Sequence, residues 1–131
     1  MQTEAAAGLP VGIPWAMQMK AVAAAEPWSL VRTLTGAIRS CGGWVLSRAT
    51  SESGKVSLLF EFERRACMDL YCVLMASGVE LSPLGHRRLT ELCQCTRSRW
   101  QGCETEIVSV ELEIQTFPAE LAELLQPAEM S

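Results

Sequence analysis

The sequence predicts an α+β domain built on one antiparallel sheet with helices on one face, and three observations lead there. Residues 56–63 alternate without a break, with Val56, Leu58, Phe60 and Phe62 set against Ser57, Leu59, Glu61 and Glu63. That period of two marks a strand with one buried face. The segment TEIVSVELEIQ repeats the pattern, with Val108, Val110, Leu112 and Ile114 opposite Ser109, Glu111 and Glu113. Between the first residues and these strands, Leu30, Leu34, Ile38 and Cys41 recur every three or four positions, which is the inward stripe of a helix.

Residues 1–14, punctuated by Gly8, Pro10, Gly12 and Pro14, read as a tail or lead-in. From Trp15 to Ala25 large side chains alternate, placing Trp15, Met17 and Met19 on one face and Gln18 and Lys20 on the other. This is read as the first strand. Pro27 then suits a first helical residue, because its missing N–H has no partner to lose there. Gly42 and Gly43 supply the left-handed exit of that helix. Trp44 to Thr50 reads as a second strand at a sheet edge, joined through ESGK to the strand of residues 56–63 as a hairpin.

Residues 64–77, RRACMDLYCVLMAS, are helical in composition and apolar nearly all round, so that helix needs cover on more than one side. After GVEL, Ser82 and Pro83 give a cap and first residue for a helix to about Cys95, with Leu84, Leu89, Leu92 and Cys93 as its apolar set. A last strand and a short helix from Pro118 to Leu125 close the chain. The domain is thus expected over 15–117, with 118–131 a terminal helix and tail. The order β-α-β-β-α(α)-β, with an extra helix before the last strand, is the four-stranded antiparallel, ferredoxin-like plan.

Composition narrows the function. The 131-residue chain is 49% hydrophobic and 20% charged, with a formal net charge of −4. That is globular, and its acidic balance provides no general attraction to nucleic acid or to an anionic membrane. No apolar run reaches the roughly 20 residues that cross a bilayer. Glu4, with no early Lys or Arg, does not fit the basic-then-apolar order of a signal peptide. The expected location is cytoplasmic, with the six cysteines as thiols.

The stretch AEPWSLVRTLTGAIRSCGGWV resembles the first crossover of an ACT-type regulatory domain. Glu26, Pro27, Leu30, Leu34, Gly42, Gly43 and Val45 stand at the corresponding places, over about residues 15–65. Trp28 replaces the glycine usual after the proline, and the region after the third strand is longer than the family's. The resemblance implies a non-catalytic regulatory homodimer that binds an amino-acid-like ligand at the dimer interface, with no cofactor. Glu26, Pro27, Trp28, Ser29 and Leu30 would line the site, and any regulated target would be another protein.

Other chemistries have ordinary readings. His86, the one histidine, lies beside Arg87 and Arg88 with no orienting partner in sequence, so a surface position is expected and no enzyme activity. Cys93, Cys95 and Cys103 offer three thiols, with His86 as a fourth ligand, but a CxC step chelates zinc poorly. Cys93 also belongs to an apolar stripe, as a small buried hydrophobe does. Arg87, Arg88, Arg97 and Arg99 with Trp100 could hold an anion or stack on a base; as cations near a helix C-terminus they also complement its dipole. The outward set Ser57, Leu59, Glu61 and Glu63 lacks the aromatics of an RNA-binding sheet. A reading of a different class is a protein-interaction module that uses the apolar helix from Ala66 to Met75.

Overall fold

The computed structural model describes residues 15–98 and 106–118. The elements are β1 (Trp15–Ala24), α1 (Pro27–Ser40), β2 (Trp44–Thr50), β3 (Lys55–Glu63), a 3₁₀ turn (Arg64–Ala66), α2 (Cys67–Ala76), β4 (Glu80–Leu81), α3 (Pro83–Ser98) and β5 (Ile107–Phe117). The expected tail over 1–14 and the terminal helix after Pro118 lie outside the described residues.

The fold is α+β, with three helices against an open sheet of order β2-β3-β5-β1-β4. This corrects the expected four-stranded antiparallel arrangement in two respects. The sheet has five strands, because GVEL contains the two-residue strand β4, which pairs with Ala21 and Val22 of β1. The sheet is also mixed, because β5 runs parallel to β1 from the Trp15–Val108 pair to the Ala24–Phe117 pair while it runs antiparallel to β3. Two residues are too few to show a period, and strand direction is decided by the crossover rather than by any local pattern.

Register explains where the core sits. Val110 lies opposite Met17 on one side and Phe60 on the other, and Leu112 lies between Met19 and Leu58. All six side chains are buried, and they join Leu30, Leu34 and Ile38 of α1, Leu70 and Leu74 of α2, and Leu89 and Leu92 of α3 in one cluster. The helices therefore cover one face of the sheet. Leu84 does not follow the predicted apolar set of α3, since it is 49% exposed at the first turn. The long apolar segment after β3 also divides: its first residues form the 3₁₀ turn, and Arg64 is buried there against Glu106, with Nη1 donating to Oε1 over 2.8 Å.

Two glycines fix the joins of the sheet. Gly42 has φ +85°, and the Gly42 and Gly43 amides donate to the carbonyls of Arg39 and Ile38, which closes α1 in a Schellman arrangement. Gly54, with φ +88°, ends the β2–β3 turn, and its carbonyl accepts from both the amide and the hydroxyl of Thr116 on β5. A Cβ at Gly54 would stand 2.9 Å from Thr116 Oγ1. Gly54→Ala combines left-handed backbone strain with that clash, so chemical denaturation is expected to show a loss of about 1–3 kcal/mol. A variant as stable as the native chain would mean that the turn relaxes without strain.

Candidate functional site

The residues expected at a ligand loop form a compact helix start. Ala25 and Glu26 join β1 to α1, and Pro27 is the first helical residue. Glu26 caps the helix with both carboxylate oxygens: Oε1 accepts from the Ser29 amide at 2.7 Å and Oε2 from the Trp28 amide at 3.2 Å. Leu30 is buried in the core, while Trp28 is 49% exposed. The structure thus places Glu26, Pro27, Trp28 and Ser29 at the surface end of β1, with the amides that could receive an anion already occupied by the chain's own carboxylate.

A concave site lies elsewhere, on the face of the sheet away from the helices. It is an open groove of about 840 Å³, and none of Glu26 to Leu30 lines it. Alternation along β1, β3 and β5 builds it, because side chains that miss the core must point to this side. Small residues, Ala16, Ser57 and Ser109, leave room at its floor. Charged residues mark its walls: Lys20, Glu111 and Glu113 from the sheet and Arg88 from α3, where the groove wraps round β1.

The charges are organised by strand pairing. Glu113 sits between strands carrying cations on both sides, with Lys55 Nζ 2.8 Å and Lys20 Nζ 3.9 Å from its carboxylate oxygens. The hydrogen bond from Lys55 and then its charge, with a smaller contribution from Lys20, hold the Glu113 carboxyl below the usual glutamate value of 4.5. Gln18 Nε2 donates to Glu111 Oε1 at 3.1 Å. On the outer strand Trp44 Nε1 donates to Glu61 Oε1 at 3.0 Å. The alternating acids and Lys20 were legible in sequence as outward positions. Their assembly was not, since it needs β5 to lie between β1 and β3.

His86 is also not the isolated surface residue expected. It is half-buried, its Nδ1 lies 2.7 Å from the Tyr71 hydroxyl, and the two rings meet edge to face. The contact ties α3 to α2, with a phenol where a triad would hold a carboxylate. Among the described residues no group of three or more His, Cys, Asp and Glu is placed to hold a metal ion. Of the suggested zinc set, the side chains of Cys95 and Cys103 lie outside the described residues.

Removing the cation beside Glu113 tests the groove's electrostatics. With Lys55→Met, the Glu113 pKa measured by carboxyl NMR titration is expected to rise towards its ordinary value. A depressed native pKa adds stability above the unfolded-state value, and that stability is lost as pH falls through the native one. The native chain should therefore show an acid-dependent loss below about pH 4.5 that the variant lacks in part. An unchanged Glu113 titration would show that the lysine contact is absent in solution. No protein-family model, curated protein or solved structure gives a significant match to this chain.

Proposed function

We propose that this chain is a non-catalytic binding module and that the open sheet face is its ligand site. The observation that carries the reading is the groove's pairing of opposite charges over a floor of small residues. Glu111 and Glu113 can receive an ammonium group, and Lys20 and Arg88 can receive a carboxylate. A small zwitterion such as an amino acid presents both groups, and its backbone would meet Ala16, Ser57 and Ser109 without a bulky obstacle.

This moves the ligand of the ACT-like reading away from Glu26, Pro27, Trp28, Ser29 and Leu30. Exposed Trp28 supports a contact at that loop, but Glu26 already holds the helix amides that a ligand carboxylate would seek. The homodimer belongs to the same proposal. Strand β2 is outermost and carries exposed Trp44 and Leu46, so twofold pairing along it would join two five-stranded sheets. A cytoplasmic location is part of the proposal too, and no described helix is long and apolar enough to cross a membrane.

The interaction-module reading has its own support on α2. Met68 and Cys72 are exposed and Met75 is half-exposed, so positions one turn apart form an apolar outer stripe beside the buried Cys67, Leu70 and Leu74.

A thermal-shift screen of the full chain against amino acids, followed by calorimetry, separates these readings. Ligand at 100 times its Kd stabilises the native state by about 2.7 kcal/mol, a midpoint shift of several degrees. Glu111→Gln and Lys20→Met are expected to remove the shift, and Trp28→Ala to keep it. The opposite pattern would return the site to the loop before α1. A flat screen at millimolar ligand would leave the α2 stripe as the functional surface.

A further inference from the structure

The geometry points to a redox-sensitive cross-link: Cys67 and Cys93 are a disulfide-forming pair that ties α2 to α3 when a small-molecule disulfide oxidises them. Cys67 opens α2 and Cys93 lies well along α3, 26 residues away, yet their sulfurs are 3.1 Å apart. An S–S bond is about 2.05 Å long, so closure requires an approach of only about 1 Å. The two thiols are held at this separation by packing on both sides. They belong to the buried core, with Cys67 1% and Cys93 5% exposed, and Tyr71 and His86 join the same two helices.

Of the other cysteines, Cys41 is half-buried after α1, and Cys72 is exposed on α2, near enough to Cys93 to help raise its pKa. Burial, reinforced by the hydrogen bond and charge of Cys67, pushes the Cys93 thiol up to about 12. In a reducing medium at neutral pH the Cys93 thiol therefore stays protonated and packs against Cys67 as a small apolar group. Oxidation has a defined course. One thiol loses its proton and attacks the external disulfide, which forms a mixed disulfide and releases one thiolate. The second protein thiol then loses its proton and attacks the protein sulfur of that mixed disulfide, expelling the other half. One S–S bond is broken and one is made, and the two protons end on the two released small thiols.

Whichever cysteine reacts first, Cys93 must act as a thiolate in one of the two steps. Wherever that step limits the rate, oxidation speeds up about tenfold per pH unit below the Cys93 pKa. Once formed, the bond closes a loop between two helices and restricts the unfolded chain, which raises the unfolding temperature.

The experiment uses the full native chain with oxidised glutathione as probe, at pH 7 and pH 9, with acid quenching, alkylation and non-reducing peptide mapping. The expected result is a cross-linked peptide pair containing Cys67 and Cys93, formed faster at pH 9, together with a midpoint about 10 °C higher that dithiothreitol reverses. Cys72→Ser should leave the cross-link intact and Cys93→Ser should abolish it. The native-chain map is decisive even if Cys93→Ser does not fold. Recovery of Cys67 and Cys93 both alkylated after prolonged oxidation at pH 9 would overturn the assignment, as would pairing of either with Cys41, Cys72, Cys95 or Cys103.

Discussion

The position of β5 is the constraint on which the rest of this structure depends. It is the last described strand, yet it occupies the middle of the sheet and pairs along nearly its whole length with β1 on one side and β3 on the other. Until it is in place, β1 and the β2–β3 hairpin share no backbone hydrogen bonds. Its buried row, Val108, Val110, Leu112 and Ile114, is also what joins the methionines of β1 to the phenylalanines of β3 in one core. Closing that contact across most of the chain is a long-range step, and folds dominated by such pairings fold slowly for their size.

The same insertion creates the open face. Because the helices cover only the side built by the buried row, the alternate residues of three adjacent strands face outward together. The Glu113 carboxylate of β5 then comes between lysines from β1 and β3, and the nearby serines and alanine leave a hollow where longer side chains would fill the surface. The edges of the sheet differ from this centre. Strand β2 has a register shift between Val45 and Ser47, with Leu46 extruded there and Arg48 exposed beyond it. A partner strand at this edge would have to follow that bulge.

Features set by short-range chemistry were legible in the sequence, and those set by long-range pairing were not. Pro27 starts α1, Ser82 and Pro83 start α3, and Gly42 and Gly43 end α1, because capping involves only residues within a turn of one another; the cap that Glu26 supplies was not read there. The alternation of β3 and β5 likewise announced which side chains are buried. The parallel pairing of β1 with β5 left no such mark, and neither did β4. His86 shows the same limit at a single residue. Its sequence neighbours are arginines, whereas the group that engages it, Tyr71, comes from another helix. Lys55 was read as part of a turn, and its role beside Glu113 exists only through the β3–β5 register.

Helix α3 connects the features that sequence reading treated separately. Its first turns carry Arg88 to the rim of the groove, and Leu84 and Gly85 line the wall beside β1. Its inner face carries His86 to Tyr71 and Cys93 to Cys67, both on α2. His86 sits between Gly85 and Arg88, so the contact with Tyr71 and the rim of the groove share the first turns of one helix, with Cys93 further along it. At that rim α3 is anchored to the sheet through its cap residue, whose Ser82 amide donates to the Lys20 carbonyl of β1 at 2.9 Å beside the two-residue β4. The thiol pair and the charged groove are therefore not independent ornaments of the fold, because the position of α3 enters the geometry of both.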